Sequence, residues 1–139
     1  MQGIVRRCAH FALIAEALAA LAVASVLIRL FSFNRLAVLA AQSPRRDAQI
    51  PVAKADSIGW AVAGWARRVP WHAMCFQQGL AAQLMLRRRG YQVALYYGAR
   101  RDSNDQLVAH VWVRSGQTDV IGCAGSEAYG LLAVFPPTT

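Results

Sequence analysis

The chain has 139 residues, of which 56% are hydrophobic and 16% charged, with a formal net charge of +8. One domain of ordinary size fits that length, and low charge with high apolarity excludes a disordered segment. The three cysteines, Cys8, Cys75 and Cys123, are odd in number and widely spaced, a poor disulfide framework in which no pair has the close spacing of a zinc site.

Lys54 is the only lysine, so the positive charge is almost entirely arginine. Arginine forks bind carboxylates and phosphates in a bidentate way. An acidic peptide, a nucleic acid and an anionic membrane all fit such a surface, and a GC-rich genome also writes Arg for Lys. Charge alone therefore decides nothing.

Residues 11–33 are rich in Ala, Leu, Ile and Val, and Arg6 and Arg7 precede them. That order resembles a signal peptide, and the small residues at 37–41 would serve as a cleavage region, so export stays open. Glu16 and Arg29 interrupt the stretch, however, and the uncharged run 17–28 is only 12 residues. A spanning helix needs about 20 apolar residues. The spacing predicts a helix over about 4–30, hydrophobic nearly all round, packed on the rest of the domain or on a partner protein. Peripheral membrane contact is the second reading. Residues 35–41 read as a further helical turn or two.

Residues 42–52 hold Ser43, Pro44, Arg45, Arg46, Asp47 and Pro51, a polar, proline-marked linker. The expected organisation is a hydrophobic helical segment over 1–41, this linker, and a core over 53–139 that carries the chemistry. Asp56 caps a helix beginning near Ser57, with Trp60 and Trp65 as core or interface residues.

The informative stretch, 69–86, reads VPWHAMCFQQGLAAQLML. Pro70 and Trp71 stop the preceding helix. Leu80, Leu84 and Arg88 then share a spacing of four, and Arg87, Arg88, Arg89 and Gly90 have the form of a helix C-terminus. Cys75 therefore sits at or near the start of a helix of about four turns. A helix start favours thiolate over thiol and can stabilise an oxyanion. A small buried thiol on an apolar helix is the commoner fate of a single cysteine.

Residues 92–97 form a strand ending at Gly98, and 100–106 a polar turn. Residues 107–114 form a second strand with Ala109, Val111 and Val113 on one face. Ser115 and Gly116 turn the chain, and 118–121 returns: an antiparallel meander after a helix. His110 lies mid-strand with Val108 and Trp112 on its face. With a two-residue turn, Trp112 pairs with Asp119, and Asp119 then lies diagonal to His110 and accepts its ring N–H. With a three-residue turn it falls on the opposite face.

A helix-start Cys75, the Arg-Arg-Arg-Gly helix end, a strand, and then Ala109-His110-Val111-Trp112-Val113 together resemble the core of the lasso-peptide leader peptidases, the transglutaminase-like B-proteins of those pathways. The likeness covers about residues 65–137. It implies an α+β, papain-like fold and a Cys-His-Asp triad, with Cys75 as nucleophile, His110 as general base and Asp119 as the available acid. It implies removal of a leader from a ribosomal precursor peptide before an ATP-dependent cyclase closes the ring. Members with an extra winged-helix domain recognise the leader themselves. With only the helical stretch ahead of the core, the expected arrangement is the split one, with a separate leader-recognition protein as partner.

Trp71 and His72 are candidates for the rim of the site, and Trp112 for substrate contact. Gln77 and Gln78 lie too far into the helix to serve as oxyanion donors. Cys123 lacks a helix start and reads as structural, and the Cys8–His10 pair as incidental. No cofactor or metal is expected, and no glycine-rich phosphate loop is present. The lone thiol points to a reduced, cytoplasmic setting, with membrane association through the N-terminal segment as an addition. The competing readings are a transglutaminase-like acyltransferase or amidase using the same residues, and a non-catalytic membrane-associated binding protein. Nucleic-acid binding is the weakest, because the arginines are scattered and no aromatic stripe runs between them.

Overall fold

The structure is a computed structural model that describes residues 1–40 and 48–135; residues 42–47 of the expected linker lie outside the described residues. In chain order it has α1 (Gln2–Leu30), α2 (Phe33–Ala40), α3 (Val52–Ala66), α4 (Cys75–Arg88), β1 (Ala94–Arg101), β2 (Leu107–Ser115), β3 (Thr118–Ile121) and β4 (Gly130–Phe135). The strands form one antiparallel sheet in the order β3-β2-β1-β4. Helices α3 and α4 lie on one face of it, and α1 packs across α3 and α4 as an outer layer. The fold is α+β, as the sequence implies.

Helix α4 is the middle of this stack, which explains a composition that is apolar or small on nearly every side. Gly79, Leu80, Ala81, Ala82, Met85 and Leu86 are all buried. A β-carbon at Gly79 would lie 2.6 Å from Val111 Cγ1, so glycine is what lets α4 descend onto β2. Helix α3 uses the same device at the sheet margin: a β-carbon at Gly59 would collide with the Val120 carbonyl oxygen. Successive strand residues point to opposite faces. Leu95, Val111 and Val113 therefore join the helices in the buried core, while Tyr96, His110, Trp112 and Arg114 leave the sheet on the other face.

Polar ties fasten α1 to this core. Glu16 accepts from Arg89 Nη2 at 2.5 Å and Nη1 at 2.7 Å, and from Arg88 Nε at 2.8 Å. The arginines that end α4 thus do more than cap a dipole. Trp65 Nε1 donates to the Ile14 carbonyl, and Trp71 Nε1 to Ser25 Oγ, each at 2.9 Å. Ala17, Leu21 and Ala24, at helical spacing, form the buried stripe between them.

Several boundaries differ from expectation for local reasons. Helix α3 begins at Val52 rather than near Ser57, because Pro51 takes the N-cap with φ −62, an angle proline fixes in advance. Asp56 is then interior, and Ser57 Oγ bonds back to the Ala53 carbonyl at 2.8 Å. Strand β1 does not stop at Gly98 but runs through it to Arg101. There the missing side chain admits the Trp112 ring and the Gly130 carbonyl, 3.0 and 2.9 Å from where a β-carbon would stand. Residues 102–106 form the tight turn, in which Asp102 Oδ1 accepts the Asn104 and Gln106 amides. Strand β4, absent from the expected meander, pairs with β1.

Two outcomes follow. Gly59→Ala should destabilise the fold by about 1–3 kcal/mol, read as a fall in the urea midpoint. Glu16 has its pKa lowered from 4.5 to about 2, chiefly by the Arg89 hydrogen bond, with desolvation opposing and Arg88 reinforcing it. A depressed carboxylate contributes stability that is full above its ordinary pKa and is lost as pH falls towards the folded value. Glu16→Gln should therefore cost roughly 1–3 kcal/mol at neutral pH. The gap to the wild type should close between pH 4.5 and about 2, as measured by urea unfolding across that range.

Candidate functional site

Cys75 is the first residue of α4, half-buried and packed against the core cluster. The turn before it is held from inside the helix. Gln77 Oε1 accepts the Met74 N–H at 3.1 Å, Gln77 Nε2 donates to the His72 carbonyl at 3.4 Å, and Gln78 Nε2 donates to the Ala73 carbonyl at 3.0 Å. The two glutamines, set aside as oxyanion donors, thus fix residues 72–74 and present the thiol at the helix tip. Their spacing of three and four from Met74 is the recoverable signal, since a Gln at the third helical position reaches back to the N-cap amide. The first turn of α4 holds no acidic residue, so nothing there offsets the helix dipole.

On β2, His110 pairs with Gly98 of β1 and lies on the face away from α4. Its ring lies beside Trp112, with centroids 5.9 Å apart, and Tyr129, at 4.9 Å. Nε2 is 2.7 Å from the Gly122 carbonyl oxygen. A carbonyl only accepts, so Nε2 carries the proton, and in the neutral ring Nδ1 is left as the basic nitrogen. The Gly122 carbonyl thus takes the tautomer-fixing place that the sequence reading gave to Asp119.

Asp119 itself is engaged elsewhere. The turn is Gly116–Gln117, not Ser115–Gly116, so Asp119 stands opposite Arg114 rather than Trp112. It shares the outer face with His110 but makes its ion pair with Arg114, Oδ1 to Nε, at 2.8 Å. The structure therefore brings His110 together with Trp112, Tyr129 and Gly122, and Asp119 together with Arg114. It makes no hydrogen bond between Cys75 and His110, nor between His110 and Asp119.

Trp71 is tied to α1 through Ser25, and His72 lies exposed on the turn before Cys75. Trp112 stacks on Tyr96 at 5.7 Å with rings 6° from parallel. It lines a groove of about 830 Å³ on the outer sheet face, together with Arg114, Asp119, Cys123, Glu127 and Tyr129. The Cys123 thiol is 3.3 Å from the Val113 carbonyl, and burial, then the nearby Asp119 charge, push its pKa up. That environment is the reverse of an activated nucleophile's. Cys8 is exposed on α1. His10 stacks on Trp60 at 5.7 Å. Among the described residues no three His, Cys, Asp or Glu side chains converge as a metal site requires.

The family model described as the transglutaminase-like superfamily matches residues 17–133, from the middle of α1 into β4. The chain belongs to the transglutaminase-like superfamily. Its members are in general cysteine proteases and acyltransferases. Neither the curated proteins nor the solved structures give a match. Of the three thiols, Cys75 alone stands at a helix start, whereas burial raises the pKa of Cys123. In a Cys8→Ser background, iodoacetamide at pH 7 should label Cys75 at least about tenfold faster than Cys123, as followed by peptide mass mapping.

Proposed function

We propose that this chain is a cysteine peptidase that removes the leader from a lasso-peptide precursor, with Cys75 as nucleophile. The observation that carries the reading is the seat of Cys75: the first residue of a core helix, its preceding turn clamped by Gln77 and Gln78, inside a transglutaminase-like chain. The narrower substrate rests on the likeness of Cys75, the Arg87–Gly90 helix end and the 109–113 strand to the leader peptidases.

In this reading the Cys75 sulfur attacks the carbonyl at the leader–core junction, and the oxyanion rests on the Cys75 N–H and one further donor. The C–N bond breaks, the imidazolium gives its proton to the leaving amine, and the leader remains as a thioester. Water then releases it as a carboxylic acid and restores the thiol. The core departs with a free amino terminus, as ring closure by a separate ATP-dependent cyclase requires. A separate leader-recognition protein delivers the precursor.

His110 is the base in this scheme, through Nδ1. In the resting arrangement its ring lies on Gly122, so catalysis needs it to come round β2 towards the start of α4. On its β1 side His110 is held by pairing with Gly98, so the movement involves the strand margin towards Gly122, where pairing with β3 ends at Ile121.

The test is cleavage of a candidate precursor, with its recognition protein present, followed by mass spectrometry. Cys75→Ala should reduce the rate at least about a thousandfold, and His110→Ala by a comparable factor. Full cleavage by Cys75→Ala removes the nucleophile. Full cleavage by His110→Ala with loss in Cys75→Ala leaves the nucleophile and removes the base. The Arg114–Asp119 pair is largely exposed, so Asp119→Asn should change stability by less than about 1 kcal/mol. A large loss of cleavage in that variant would then restore Asp119 to the triad.

A further inference from the structure

The outward face of α1 is the reverse of what a helix on a protein surface normally shows. Ala12, Ala15, Ala19, Val23, Val26 and Leu30 follow one another at helical spacing and are all exposed. They run opposite the buried stripe of Ala17, Leu21 and Ala24. No charge interrupts them. The one acidic residue of α1, Glu16, is turned inward onto Arg88 and Arg89. Cations flank the stripe instead: Arg6 and Arg7 near one end, Arg29 and, on α2, Arg35 near the other, all exposed. Val38 continues the apolar surface on α2 at 66% exposure.

Among the described residues α1 is the one helix long and apolar enough to cross a membrane. Its ties to the domain decide against crossing. Spanning would carry the Glu16–Arg88–Arg89 cluster and the Trp65 and Trp71 hydrogen bonds into hydrocarbon, or break them. A helix held along one side by folded protein, bare and apolar along the other, and basic at both ends suits the headgroup boundary of an anionic bilayer.

We infer that α1 docks this protein flat on an anionic lipid surface, its exposed apolar stripe entering the headgroup region and Arg6, Arg7, Arg29 and Arg35 meeting lipid phosphates. The inference is independent of the proposed proteolysis. It commits to lipid because the stripe is uninterrupted and its border is cationic at both ends, and because the chain carries a net charge of +8.

The test is sedimentation of the full chain with vesicles of phosphatidylcholine alone and with a third of that lipid replaced by phosphatidylglycerol. The chain should pellet with the anionic vesicles, be released by alkaline carbonate, and bind neutral vesicles at least about tenfold more weakly. Val23→Glu with Val26→Glu should abolish binding while the far-ultraviolet circular dichroism stays that of the wild type. Arg6→Ala with Arg7→Ala, which leaves the stripe and the core untouched, should weaken it by roughly thirtyfold. Equal binding to both vesicle types, resistance to carbonate, or full binding by either variant overturns the inference. So does a chain that ignores vesicles and elutes as a dimer that Val23→Glu with Val26→Glu makes monomeric, which would assign the stripe to a second copy.

Discussion

At Gly79 the backbone of α4 comes down on Val111 with no space for a side chain between them. Much of the molecule is built around that approach. It sets the height of α4 over β2, brings Leu80, Met85 and Leu86 into one core with Leu95 and Val113, and leaves Cys75 one helical turn away at the end of the same rod. It also fixes which face of β2 belongs to the helices. Once Val111 and Val113 point inward, strand alternation sends His110, Trp112 and Arg114 outward. Placement of the thiol and orientation of the imidazole are thus two results of one contact.

On the outer face the consequence is an aromatic layer rather than a second core. Gly98 admits the Trp112 ring, Tyr96 stacks on it, and His110 fills the space between Trp112 and Tyr129. Arg100 lies 5.1 Å from the centre of the Tyr129 ring. The Gly122 carbonyl then holds Nε2. A histidine in such a setting is oriented and tautomerically defined without a carboxylate, while the β2–β3 register sets Asp119 opposite Arg114.

The elements with strong periodicity were legible in the sequence. The spacing of Leu80, Leu84 and Arg88 and the stop at Gly90, which adopts φ 78, give α4 almost to the residue. The alternation of Ala109, Val111 and Val113 gives β2 and its two faces, though not which of them meets the helices: a base for Cys75 asks for the His110 face, and the structure turns the valine face inward. What was not legible depended on partners distant in the chain. Nothing local to Glu16 announces that it meets arginines more than seventy positions later. Gly98 reads as the end of a strand unless the Trp112 ring that needs its space is known. Asp119 turns on a shift of one residue in a turn, and one residue decides its cross-strand partner. Strand β4 follows Gly130 as a plain apolar run, a signal that was present but lay past the apparent end of the meander. The transglutaminase-like character was carried by the combination of the thiol, the helix end and the histidine strand, each weak alone.

Two of the four tryptophans, Trp65 and Trp71, bond through their indole nitrogens to α1, one at a backbone carbonyl and one at a serine hydroxyl. Lifting that helix from the domain would strip both rings of a hydrogen-bond acceptor and admit water beside them. The chain therefore contains its own fluorescent gauge of helix seating, needing no attached dye. Its emission would separate a domain that stays closed from one that opens along its outermost layer.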